Sequence, residues 1–405
     1  MDKWKPFKNF TLDLTWKDNN IGLFSFELGG EAKAKAGDEV SAKLLLTVKK
    51  AIPTKSLELY FVGEEATQVD YMQKHKSKGS ISHDFEPTKR SAYGGHHFLR
   101  INFSLPISVS TKIIQNDKLV PGEYQIPLRI SIPARAPSSF EAAKGGHGDL
   151  HYHAIVQYRC YAKLVGSGRF SDYETDAPIH VTGAPELQAT IPSQDKIMTQ
   201  NILRWKVFSG GAMSFGAKVV DAQLFRGQPP QVKVALVNDS SADLERIQIH
   251  LEETLWFKAQ GQVRTSTRTL CSATFPAQFQ KLSKETLKGR LQDAYREQSN
   301  NSVISQSLDD DDHPVYTLPA VPQNARNTYA GEIIKITHEL HIKLGTTTKH
   351  TNPKLQMAVR VAGDGDPGVL AATPVASATP AASATPAANG TPSANGKDDE
   401  GVLWA

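Results

Sequence analysis

The sequence predicts an all-β protein: two tandem immunoglobulin-like antiparallel β-sandwiches followed by a disordered C-terminal tail. Three observations carry this expectation. Apolar residues recur every second position, turn-forming residues separate the apolar runs, and 405 residues exceed what one hydrophobic core accommodates. An apolar share of 39% with a charged share of 22% fits a water-soluble globular chain.

Leu44, Leu46 and Val48 alternate with Lys43 and Thr47, and Leu57, Leu59 and Phe61 follow a turn containing Pro53, so these runs read as a hairpin. Val232, Val234 and Leu236 lead through Asn238-Asp239-Ser240-Ser241 to Ile247, Ile249 and Leu251, which read as a second hairpin. Ile334, Ile336, Leu340, Ile342 and Leu344 share one strand face opposite Lys335, Thr337, Glu339, His341 and Lys343. His338 falls on the inward face and reads as a hydrogen-bonded core histidine.

The polar, turn-rich stretch 182–195 reads as a linker between a first sandwich domain, 1–183, and a second, 196–362. A helical and acidic insertion is expected near 281–325. Leu282, Leu287, Leu291 and Tyr295, four or five residues apart, predict a short amphipathic helix, and Asp309 to Asp312 read as a solvated loop. Residues 363–405 form an Ala/Thr/Pro-rich tail in which PVASAT, PAASAT, PAANGT and PSANGK succeed one another, a composition that cannot bury a core. The tail offers Thr-Pro steps at Thr373, Thr379, Thr385 and Thr391 for phosphorylation, and Leu403 and Trp404 behind acidic residues as a docking peptide.

A net charge of +4 lacks the concentrated basic face of a nucleic-acid binder, and no run reaches the ~18 apolar residues of a membrane span. No apolar signal core follows Met1, and two cysteines make no disulfide framework, so a cytosolic, reduced chain is expected. Cys160 reads as core packing beside Val156, Tyr158 and Leu164.

Pro121-Gly122-Glu123-Tyr124-Gln125-Ile126-Pro127-Leu128, then Ile132-Pro133 and Pro137-Ser138-Ser139-Phe140-Glu141, resemble the N-terminal domain of arrestins. Ala36-Gly37-Asp38-Glu39-Val40-Ser41 and the strand Ile155 to Ala162 fit the same domain. Phe225-Arg226-Gly227-Gln228, the turn around Asn238, and Ile336-Thr337-His338-Glu339-Leu340-His341-Ile342 are similar to the arrestin C-terminal domain. The ordered set spans residues ~20 to 362, with spacing closest to the α-arrestins, the arrestin-domain-containing trafficking adaptors.

The resemblance implies a non-enzymatic adaptor that binds cytoplasmic parts of membrane proteins and recruits ubiquitin ligase or coat proteins. It also implies a cytoplasmic location with recruitment to the plasma membrane or endosomes. The alternative within the same fold is a retromer-like coat subunit. The sequence departs from α-arrestins in having no Pro-Pro-x-Tyr; His313-Pro314-Val315-Tyr316 lacks the first proline. The charged core that phosphorylation breaks in visual and β-arrestins has no matching residues identified here.

For chemistry, His147, Asp149, His151 and His153 form the metal-like constellation, since His151 and His153 project from one strand face; a metal-binding enzyme built on this cluster is the competing function class. His96-His97 is a weaker pair. No nucleophile elbow, phosphate-binding glycine loop or cysteine zinc pair is present, and no cofactor is expected. Lys74, Lys76, Lys78, Lys89 and Arg90 lie in a polar loop suited to acidic lipid headgroups or phosphate.

Overall fold

A computed structural model describes residues 21–363 apart from 31, 74–87, 106, 145–150, 184–194, 206–207, 222, 278–292, 311–312 and 347–349. Most of the linker, most of the lysine loop, His147, Asp149 and the tail beyond Gly363 with its threonines, Leu403 and Trp404 lie outside the described residues.

In the first sandwich, β1 (Ile21–Leu28), β3 (Glu39–Val48) and β8 (Gly122–Ser131) form one sheet. The facing sheet runs β2 (Lys33–Lys35), β11 (Tyr173–Thr182), β10 (Tyr152–Gly166), β4 (Ile52–Gln73), β7 (Lys118–Leu119) and β6 (Ile114–Gln115). On it, β5 (Thr88–Phe103) pairs with β4 and β9 (Phe140–Lys144) with β10, while a short helix, α1 (Ile107–Ile113), precedes β6.

The second sandwich sets β12 (Asp195–Arg204), β13 (Phe208–Val219), β15 (Gln231–Ser240) and β18 (Val315–Thr317) against a second sheet. That sheet runs β14 (Gln223–Phe225), β21 (Lys354–Ala362), β20 (Ile334–Thr346), β16 (Leu244–Ala259) and β17 (Gln262–Pro276), with β19 (Tyr329–Ala330) on β20.

The alternating residues fill the cores as expected. Leu44, Leu46 and Val48 meet Leu59, Phe61, Tyr158, Cys160 and Leu164 in the first; Val232, Val234, Ile247, Ile249, Leu251, Leu340, Ile342 and Leu344 fill the second. Burial drives the Cys160 thiol up to about 12 and Cys271 to about 11, so both thiols behave as small apolar groups.

The expected hairpins are corrected. β3 pairs with β1 and β8, β4 with β10 and β5; β15 pairs with β13 and β18, β16 with β17 and β20. In both cases the connection crosses the core from one sheet to the other. Alternation reveals which face is buried; it is silent on whether the next strand lies beside or opposite. Two short pairings are parallel, β2 with β11 and β14 with β21. Each short strand runs into a turn with a left-handed glycine, Gly37 (φ 93°) and Gly227 (φ 80°), within the two turn motifs that carried the resemblance.

The insertion contains α2 (Asp293–Asp309), which starts within the expected helix but runs further. Asn300, Ile304 and Leu308, four residues apart, are buried, and the two apolar side chains pack on Ala235, Val237 and Ile197 outside the smaller sheet. The anchoring face is therefore C-terminal to the leucines read from sequence, of which Leu282, Leu287 and Leu291 fall outside the described residues. Asp309 ends this helix instead of lying in a loop. Lys218 Nζ, 2.7 Å away, neutralises the carboxylate that the helix C-terminus disfavours.

Candidate functional site

The long central strands create the site. β4 sends Leu59 and Phe61 into the first core, but its far end carries Val69 to a third apolar cluster. There Val69, Ala92, Ala142, Ala154 and Val156 of the first sandwich pack on Leu255, Phe257, Ala259, Ile334 and Ile336 of the second. Tyr152 and Phe257 rings lie 4.9 Å apart, and Phe140 meets Tyr329 edge-on at 6.3 Å.

Directional bonds fix the register of this junction. Thr67 Oγ1 donates to the Lys258 carbonyl at 2.6 Å, Tyr152 Oη to Ser266 Oγ at 2.9 Å, and Asn327 Nδ2 to Ser138 Oγ at 2.8 Å. Glu65, with 0% of its side chain exposed, accepts from Tyr329 Oη and, at 2.8 Å, from the Ile333 amide. Burial, reinforced by the Glu65 carboxylate, pushes the Tyr329 hydroxyl far above its ordinary value, so it stays a donor. Two glycines are required by the approach: a Cβ on Gly331 would overlap the Glu65 carboxylate, and one on Gly94 would come within 2.7 Å of the Lys258 carbonyl.

A second buried carboxylate, Glu253, stands behind the junction. It accepts from Arg268 Nε at 2.8 Å, from Arg326 Nη1 at 2.5 Å and from the Arg326 amide at 2.8 Å. Burial alone would raise its pKa, but His338, Arg268 and Arg326 together hold it well below the usual carboxylate range. His338 is the buried, bonded core histidine expected from sequence, with Thr328 Oγ1 2.9 Å from its Nδ1.

Between the Pro137-Ser138-Ser139-Phe140 loop and the 323–330 segment opens a cleft of about 710 Å³. Arg135, Arg226, Arg268, Arg326 and Arg360 line it, against the single carboxylate of Glu141. Arg268 and Arg326 share the Glu253 carboxylate behind the wall, so the lining is cationic on balance, and its walls come from both sandwiches.

Residues 24–163 match the family model of the arrestin (or S-antigen) N-terminal domain, and residues 210–363 that of the C-terminal domain. The chain belongs to the arrestin superfamily. A search of curated proteins returns no match. Arrestin-family proteins are generally non-enzymatic adaptors that bind membrane receptors and trafficking machinery. Among the described residues, no helix is long and apolar enough to cross a membrane.

Of the candidate ligand and lipid-contact residues read from sequence, those among the described residues do not line the cleft. His151 is exposed and precedes β10 instead of lying on it, and His153, within the strand, has its Nε2 2.6 Å from Glu141 Oε1. Lys89 and Arg90 stand on strand β5, not in a loop, and Lys89 Nζ pairs with Asp70 at 3.0 Å. His97 lies 3.3 Å from the buried Glu64, which also accepts from Gln157 at 2.7 Å and from Arg159. The arginines and Glu253 were missed. The signal for Glu253 was present: it occupies an inward position of β16, between Leu251 and Leu255, where a carboxylate must be paired.

Proposed function

We propose that this arrestin-fold chain is a trafficking adaptor whose inter-sandwich cleft receives acidic segments from the cytoplasmic parts of membrane proteins. The observation that supports the reading is the cleft lining: five arginines, two of them paired with the buried Glu253, against Glu141 on the surface of the cleft, built from both halves of the fold. Such a lining attracts anions over distances of about a Debye length and holds carboxylate or phosphate groups by paired N–H donors. The α-arrestins are the subgroup to which this reading assigns the chain. The two sandwiches serve as the domains of the adaptor, 1–183 and 196–362, and the tail 363–405 recruits ubiquitin ligase or coat machinery. The work takes place in the cytoplasm, at the plasma membrane or endosomes, without catalysis.

A labelled twelve-residue peptide rich in Asp and Glu tests the cleft by fluorescence anisotropy on the full chain. The wild type should bind with an affinity that falls as salt rises, and the Arg226→Glu/Arg360→Glu double variant should lose at least about tenfold. Equal affinity in wild type and variant would reject the cleft as the cargo site.

A further inference from the structure

We propose that the outward face of the second sandwich binds one divalent transition-metal ion of the zinc class through His250, His341, Glu252 and Glu339. On neighbouring strands β16 and β20, His250 stands opposite His341, and Glu252 stands opposite Glu339. These are successive pairs on one sheet face, since outward positions recur every two residues. Ligand atoms of His250, Glu252 and His341 all lie within 4.8 Å of one another. His341 Nε2 points between the carboxylates, 3.6 Å from Glu252 Oε1 and 3.5 Å from Glu339 Oε2.

Two features of this cluster are unfavourable without a cation. Like charges directly opposite each other on a sheet repel, and among the described residues His341 is the only basic side chain within 4 Å of either carboxylate. His341 Nε2 is also buried without a hydrogen-bond partner. A dication seated between the four side chains removes the repulsion and uses that nitrogen. Tetrahedral zinc, with bonds of about 2.0–2.2 Å, needs ligand atoms about 3.3 Å apart, so the side chains close by roughly 1.5 Å. The two rings are stacked with centroids 4.8 Å apart, and a turn of one about its χ2 directs its nitrogen inward.

The surroundings supply the supporting contact. The Gln356 side-chain amide lies 3.2 Å from His341 Nδ1. With its oxygen turned to the ring it accepts the Nδ1 proton, leaving the Nε2 lone pair for the ion. Mixed imidazole and carboxylate donors suit zinc better than calcium or magnesium, which favour all-oxygen sites. His250, His341 and Gln356 also line a groove of about 540 Å³, through which an ion can reach the two imidazoles.

The test is calorimetric titration of the full chain, stripped of metal by chelation, with zinc chloride. The wild type should bind one saturable equivalent, and His250→Gln and His341→Gln should each raise Kd at least about tenfold. Gln356→Leu, which keeps every ligand, should weaken binding about 10–100-fold. Cobalt substitution should give the visible bands of a four-coordinate site. Circular dichroism checks that the variants remain folded. Lack of saturable binding by the wild type overturns the proposal. So does an unchanged Kd in both histidine variants, or loss of binding in His151→Gln/His153→Gln, which would place the metal on β10.

Discussion

Glu253 shows at the scale of one residue how the second sandwich is held. Its side chain is 1% exposed, and a lone carboxylate there would cost several kcal/mol; Arg268, Arg326 and His338 make the charged form the stable one. Because its folded pKa lies below the unfolded value of 4.5, the cluster contributes full stability above about pH 4.5. That contribution is lost as pH falls from there towards the depressed value. Urea unfolding between pH 7 and pH 3 should therefore show stability declining in the wild type. Glu253→Gln should be about 3 kcal/mol less stable at pH 7 and flatter below pH 4.5. Tyr329→Phe leaves one oxygen of the buried Glu65 without its donor, for an expected loss of about 1–2 kcal/mol in the same assay. Neither carboxylate was identified from sequence as part of a site, since their partners lie far along the chain: Tyr329 is 264 residues from Glu65, and Arg326 is 73 from Glu253.

At the scale of elements, strand faces were legible and strand partners were not. Every residue of the set Ile334, Ile336, Leu340, Ile342 and Leu344 is buried, as the period of two requires. The same period placed Leu44 and Leu59 correctly in a core, yet could not tell a hairpin from a crossing between sheets. The helix was legible only at its margin, because Ile304 and Leu308 sit among Ser, Asn and Gln that dilute the helical pattern. They nevertheless anchor it. Ile304→Ala should cost roughly 2–4 kcal/mol, seen as a lowered midpoint in thermal unfolding followed by circular dichroism. An unchanged midpoint would mean that α2 contributes no packing to the sandwich.

At the scale of the whole molecule, the ordered motifs along residues 24–363 led to the arrestin family, while the junction required three dimensions. Arg135, Arg226, Arg268, Arg326 and Arg360 are scattered over more than two hundred positions and form no basic run; only folding brings them around one cleft. By contrast, Lys89 and Arg90, the described members of the basic group that stands close in sequence, lie on β5 and do not line it. The outward His250 and His341 escaped notice for the same reason, being neighbours only across β16 and β20.

The adaptor reading is tested most directly by proximity labelling in the native cell, comparing the full chain with a version ending at Gly363 and with the Arg226→Glu/Arg360→Glu variant. The account predicts labelled membrane proteins together with ubiquitin-ligase or coat components. The membrane proteins should be depleted by the arginine changes and the recruited machinery by loss of the tail. One fixed set of coat subunits, labelled equally by all three chains, would contradict it and identify a coat subunit instead.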